Sequence, residues 1–118
     1  MLTEKDYCDY DTCVALRELG FTLDMTEKVY ERNLMANRYE TIPKPLLYEA
    51  QKWLREEKGI HIAPRIYLYH DINLDEHTSW ECTIYVEWSA IYTIGKSLTY
   101  EEALLLGIKE AVKILKEK

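Results

Sequence analysis

The sequence predicts an α+β fold: a two-layer sandwich with helices on one face of an antiparallel sheet of about three strands, in a single α+β domain over residues 1–118. Three observations carry this reading. Residues Leu46–Lys58 and Tyr100–Lys116 repeat apolar side chains at the helical period. Between them, Ile60–Leu68 and Trp80–Trp88 alternate at a period of two. The chain has 118 residues, 47% hydrophobic and 31% charged, with four Gly and three Pro, which is enough for one core and too little for two domains.

The elements follow in order. From Thr3 to Leu19, apolar residues at Val14, Ala15, Leu16 and Leu19 fit an amphipathic helix, stopped by Gly20 with Phe21 folding back on it. Asp6, Asp9 and Asp11 weaken its start, so it begins as late as Asp11 or Thr12 on this reading. Residues Thr22 to Thr41 are the least legible. Val29-Tyr30 and Arg38–Ile42 have strand-like content and Asn33 suits a hairpin turn, yet Met25–Val29 and Leu34-Met35 suit helical spacing, and both options stay open. Pro43 and Pro45 then favour extended backbone and a helix entrance.

The helix Leu46–Lys58 carries its apolar stripe at Leu46, Leu47, Ala50, Trp53 and Leu54 and ends at Gly59. In the strand after it, Ile60, Ile62, Ile66 and Leu68 share one parity, and Pro64 argues for an edge or a bulge. Residues His70 to Ser79 read as a hairpin loop. Trp80, Cys82, Ile84, Val86 and Trp88 form the apolar set of the next strand, and a bend near Ser89 leads into a third strand, Ala90–Gly95. Thr99-Tyr100-Glu101-Glu102 is a capping-box signature for the closing helix. Its stripe is Ala103, Leu104, Gly107, Ile108, Ala111, Val112 and Leu115, with Gly107 allowing close approach to the sheet.

Charge and composition narrow the function. Fifteen Lys and Arg against 21 Asp and Glu give a net charge of −6, which disfavours nucleic acid as partner because such affinity comes from neutralising phosphates. No apolar run approaches a signal peptide or a membrane span, so the expectation is a soluble, cytoplasmic protein with no membrane partner. Cys8, Cys13 and Cys82, an odd number, read as reduced thiols.

The residues Ala50-Gln51-Lys52-Trp53-Leu54-Arg55-Glu56-Glu57-Lys58-Gly59-Ile60, then Trp80, then Thr99-Tyr100-Glu101-Glu102-Ala103-Leu104, resemble a family of small uncharacterised proteins of gut bacteria and their phages. The resemblance covers most of the chain after Pro43 and implies fold and a phage-related context, with no activity to carry over. Gly95–Leu115 also has a weaker local similarity to the partner-binding half of HicB-type antitoxins.

Asp71-Ile72-Asn73-Leu74-Asp75-Glu76-His77 opens like a calcium loop, but the sixth position is Glu76 where a Gly is needed and the twelfth is Cys82 where a bidentate Glu belongs. It reads as a solvated turn. Cys8 and Cys13 with His70 and His77 have the wrong spacing for a zinc finger, and a Cys–His pair of Cys8 or Cys13 with His61 or His70 has nothing specific in its favour. No catalytic motif occurs, so the reading assigns no catalytic, cofactor-binding or metal-binding residues and no cofactor.

Tyrosine is the informative feature: ten Tyr against one Phe, with three Trp. If Ile60, Ile62, Ile66 and Leu68 join Trp80, Ile84 and Val86 beneath the helices, then Tyr67, Tyr69 and Tyr85 occupy the other, uncovered face. Tyrosines there suit a protein partner or self-association; cross-strand stabilisation is the plainer explanation and base stacking a third. Trp53, Trp80 and Trp88 are assigned to the core. The sequence thus reads as a non-catalytic binding protein. The alternative is a small enzyme or small-molecule binder with a pocket built by Tyr30–Ile42 against the Pro43–Trp53 helix entrance.

Overall fold

The computed structural model describes residues 1–35, 38–87 and 89–117, with backbone alone at 90–94 and 96. The chain is α+β, in the order α1 (Tyr10–Glu18), β1 (Val29–Met35), β2 (Arg38–Pro43), α2 (Leu47–Lys58), β3 (Ile60–His70), β4 (Glu76–Val86), β5 (Ser89–Ser97) and α3 (Tyr100–Lys116). The strands form two antiparallel sheets, β1-β2 and β3-β4-β5.

Helix α1 begins after its acidic approach because Asp9 caps it, Oδ1 accepting the Thr12 amide at 3.0 Å. Residues Glu4–Asp6 before it make only a 3-10 turn. At the other end Gly20 takes φ +114°, which lets the Phe21 amide reach back to the Leu16 carbonyl at 3.0 Å. Phe21 is thereby buried edge-on against Trp53, ring centroids 5.5 Å apart.

The strand option for the illegible segment is the one adopted: Val29 and Leu34-Met35, whose spacing also suited a helix, lie in β1. Leu23–Met25 is a 3-10 turn, and β1 then pairs with β2 from Val29 opposite Pro43 to Met35 opposite Arg38. Asn33 lies inside β1, where the register shifts, and not at the turn; the connection at 36–37 lies outside the described residues. Tertiary contacts favour the hairpin: Arg17 of α1 and Arg32 of β1 both pair with Glu40, Ile42 is buried, and Tyr30 meets Tyr10 edge-on at 5.6 Å. The expectation of one sheet is therefore corrected to two.

In α2 the Glu49 carboxylate accepts the Leu46 amide at 2.8 Å and the Thr26 hydroxyl at 2.9 Å, tying the helix entrance to the preceding loop. Gly59 closes the helix with φ +67°. Strands β3 and β4 then pair without interruption from Ile60 opposite Val86 to His70 opposite Glu76. Half of the predicted loop His70–Ser79 is strand, and the turn is only Asp71–Asp75, with Leu74 at φ +64°. After Glu87, at φ +52°, β5 starts at Ser89; Trp88 lies outside the described residues.

Helix α3 starts at the predicted cap, the Thr99 hydroxyl accepting the Glu102 amide at 3.1 Å. It packs against β3, β4 and β5, while α2 packs against α3 and β3. Ile60, Ile62, Cys82 and Ile84 meet the helices and are buried. Ile66 and Leu68 share their parity but are 54% and 62% exposed, so their assignment to the core is corrected. Length is the reason: eleven residues of β3 extend roughly 36 Å, whereas the 17 residues of α3 extend roughly 26 Å. Pairing of β5 with β4 also ends at Trp80 opposite Ser97, so beyond Ile66 the β3–β4 hairpin projects as a two-stranded arm. Trp53 is buried as expected, but Trp80 is only partly buried, edge-on to Tyr100 at 5.5 Å.

Candidate functional site

The arm presents different chemistry on its two faces. The unbroken β3–β4 register places Tyr67 opposite Ser79, Tyr69 opposite His77 and Tyr85 opposite His61, all on the face away from Ile62 and Ile84. Tyr67 and Tyr69 come together, with centroids 6.1 Å apart, and Tyr69 stacks on His77 at 5.2 Å with 22° between planes. Tyr85 stands apart: it is six residues along β4 from Ser79, roughly 20 Å, with the Arg65–Glu81 ion pair and Thr83 in between. The expected three-tyrosine patch is thus one aromatic cluster and one separate ring.

Small neighbours shape the cluster. Ser79 leaves room for Tyr67 to lean over β4, so that its hydroxyl stands 3.6 Å from where a Cβ on Gly95 of β5 would be. Tyr67 is therefore half-buried, whereas Tyr69 remains exposed. A shallow cavity of about 470 Å³ lies beside them, bounded by Thr78, Ser79 and Leu98.

The turn at the tip braces His77. Asp71 Oδ2 meets His77 Nε2 at 2.7 Å, and Oδ1 accepts the amides of Asn73 at 2.8 Å and Asp75 at 3.0 Å. The hydrogen bond from His77, then the one from the Asp75 amide, holds the Asp71 carboxyl below its ordinary range. The carboxylate that would open a calcium loop is thus engaged by its own turn. The sequence reading missed the Asp71–His77–Tyr69 chain. A hairpin centred on Asn73 brings 71 to 75 and 69 to 77, so the signal was the centre of the turn.

The cysteines lie elsewhere. Cys8 and Cys13 are buried together beside α1, Cys13 Sγ donating to the Cys8 carbonyl at 3.5 Å, while Cys82 sits under α3. The hydrogen bond to Cys13 and then burial push the Cys8 thiol far up, and burial pushes Cys82 up to about 11. Neither is a thiolate at neutral pH. Among the described residues no three His, Cys, Asp or Glu side chains converge as a metal site.

The pocket proposed around residues 30–53 is divided. Two small clefts of about 260 and 290 Å³ flank Tyr48 and Glu49, and a larger one of about 470 Å³ uses Tyr30 with Tyr7, Cys8, Leu98 and Leu105. The helix entrance does not line the larger one. Beside it, Lys44 Nζ lies 4.9 Å from the Tyr7 ring centroid and 4.6 Å from that of Tyr30, and 2.7 Å from Glu4 Oε1.

No protein family, curated protein or solved structure matches the chain. No described helix is long and apolar enough to cross a membrane.

Proposed function

We propose that this chain is a non-catalytic binding protein that engages a protein partner through the aromatic face of the β3–β4 arm. On this reading the helices and the three-stranded sheet form a two-layer sandwich whose second face is the working one. One observation carries the proposal: Tyr69 stays 46% exposed on an arm that outruns the helices, stacked on His77, which the Asp71 turn braces. A ring fixed before binding loses little conformational freedom on contact, which is why tyrosine anchors interfaces. Tyr69 and Tyr67 are the contact residues. Tyr85, being remote from them, belongs to the same contact only if the partner spans roughly 20 Å of the face.

The net charge of −6 argues against nucleic acid as the partner. The resemblance of the Ala50–Ile60 and Thr99–Leu104 segments to proteins of gut bacteria and their phages supports a phage- or mobile-element-associated context, and the free thiols of Cys8, Cys13 and Cys82 suit a reducing, cytoplasmic compartment. The test is affinity capture from host or infected cells with wild type, Tyr69→Ala, the double variant Tyr67→Ala/Tyr69→Ala and Tyr85→Ala, each first checked for folding. Capture lost with Tyr69→Ala supports the proposal; capture that survives loss of both Tyr67 and Tyr69 side chains, or no capture at all, overturns it.

The larger cleft favours a second reading, a small-molecule binder. Tyr7, Tyr30, Leu98 and Leu105 give it apolar walls, and Glu4 and Asp9 at its rim are already paired with Lys44 and Lys109, a lining suited to a small uncharged apolar ligand. Thermal-shift screening against small uncharged aromatic and aliphatic compounds tests it, and no shift with any of them removes it.

A further inference from the structure

The outer edge of β3 has a free length and a register of its own. Gln51 Nε2 of α2 donates to the Ile62 carbonyl at 2.7 Å, and the Ala63 amide points inward, toward Cys82 Sγ. Even-numbered residues of β3 therefore direct their amides and carbonyls outward. Pro64 is one of them, so its missing N–H costs no bond to β4, and the strand passes it without a bulge. Among the described residues no strand pairs with this edge. Gln51 covers it at Ile62 and the turn ends it after His70, leaving Pro64–His70 open. Ile66-Tyr67-Leu68-Tyr69 within it carries no charge, although the chain as a whole is at −6.

We infer that this edge pairs antiparallel with β3 of a second copy, about a twofold axis at Tyr67, joining two three-stranded sheets into one. Three features select this register. Outward-facing residues must meet outward-facing residues, which restricts the pairing to even offsets. Centring on Tyr67 sets Ile66 against the second copy's Leu68, each exchanging both amide–carbonyl bonds, and sets His70 against Pro64 at the margin. A shift one step inward would drive the second copy's His70 onto Ile62 and displace Gln51; a shift outward would shorten the ladder. The chosen register therefore fills the free length. It also clusters Ile66 and Leu68 of both copies on the helix side of the sheet, beyond the reach of the helices, and brings Arg65 beside the second copy's Tyr69, a cation–π arrangement. The interface is isologous, as a closed dimer requires. The contact is confined to Pro64–His70 of each copy, which makes the dimer a small and reversible one.

This inference concerns the strand edge and does not rest on the function proposed for the tyrosine face. It is tested by analytical ultracentrifugation of the full chain from micromolar to millimolar concentration, with Leu68→Pro, Leu68→Lys and two cysteine variants. The Leu68 amide faces outward, so Leu68→Pro removes no bond to β4 and leaves the circular dichroism unchanged. It raises the dimer dissociation constant at least about tenfold, and Leu68→Lys does the same should the proline perturb folding. Tyr67→Cys falls on the axis, where facing Cα atoms of a non-hydrogen-bonded pair lie ~4.5 Å apart, within disulfide range, and oxidises to a covalent dimer. Ile72→Cys, more exposed but remote from the axis, does so far more slowly. A monomer at every concentration overturns the inference, as does a dimer indifferent to Leu68 or one that crosslinks as readily through Ile72→Cys. A chain that stays monomeric yet captures a protein through Tyr69 overturns this inference and leaves the proposed function standing; a Leu68-dependent dimer with no Tyr69-dependent capture does the reverse.

Discussion

Gly107 of α3 lies directly on Cys82 of β4: a Cβ at Gly107 would stand 2.5 Å from Cys82 Sγ and 2.6 Å from Ile62 Cγ2. Two effects of Gly107→Ala compete. Alanine favours the helix by roughly 0.5–1 kcal/mol, whereas forcing a methyl into a packed core costs about 1–3 kcal/mol. Both neighbours are buried, so overpacking wins, and a net loss of about 1–2 kcal/mol is expected in urea denaturation. Cys82→Ala in the same chain removes the sulfur and recovers part of the loss. An unchanged midpoint for Gly107→Ala would show that α3 sits farther from the sheet.

Asp9 joins α1 to α3, capping the first helix while its Oδ2 lies 2.6 Å from Lys109 Nζ. Burial raises the Asp9 carboxyl, but the Lys109 ammonium and the bonds from Thr12 outweigh it, and the balance lies below the ordinary 3.8. A carboxyl lowered by folding contributes stability that is fully present above pH 3.8 and is lost as pH falls through the lower folded value. Asp9→Asn keeps a capping side chain and discards the charge, so it removes this acid-sensitive part. The ion pair is half-exposed, so the change at neutral pH is under about 1 kcal/mol. Asp9→Ala loses the cap as well, about 1 kcal/mol more. Denaturation midpoints at pH 7 and pH 3 check this, and equal acid sensitivity in wild type and Asp9→Asn would refute the linkage.

The arm separates parity from burial. Ile62→Ala and Ile84→Ala, at buried positions, should each cost about 2–4 kcal/mol. Ile66→Ala and Leu68→Ala, on the same face but exposed, should cost under about 1 kcal/mol in the monomer. Chemical denaturation at low protein concentration makes the comparison, and a large loss at Leu68 would mean that the arm packs against the body.

These cases mark what the sequence could say about the fold. Caps and stops were legible because each depends on a few adjacent residues: the Thr99 hydroxyl caps the Glu102 amide, the hydroxyl half of the expected box, and Gly59 and Gly20 close their helices with positive φ. Alternation likewise disclosed that Tyr67, Tyr69 and Tyr85 share a face. It could not disclose how far the helices reach along that sheet, since periodicity is blind to relative length, and Ile66 and Leu68 were placed in a core that ends before them. The hairpin β1–β2 was illegible for another reason. Its strands are fixed by Glu40 meeting Arg17 and Arg32 and by Ile42 entering the core, contacts made across the chain and not within a window.

The candidate site was half legible on the same grounds. The tyrosines were countable, but their partner His77 and its brace Asp71 depend on where the turn is centred, and a loop drawn over His70–Ser79 hid five residues of strand at its two ends.

One carboxylate, that of Asp71, holds both the turn and His77. Asp71→Asn retains an oxygen for the amides of Asn73 and Asp75, so their hydrogen-exchange protection should largely persist while the hold on His77 weakens. Asp71→Ala leaves both amides without their acceptor, and protection there should fall several-fold with little change in global stability, since the turn is exposed. The wild-type carboxyl should titrate below 3.8, and the order it lends the turn should be complete above that pH and fade as pH falls through the folded midpoint. Carboxyl-carbon NMR shifts follow the titration directly. If loosening of the Asn73 and Asp75 amides tracks the protonation of Asp71, the turn is held as described; if the amides are indifferent to that proton, Tyr69 is positioned by the strands alone.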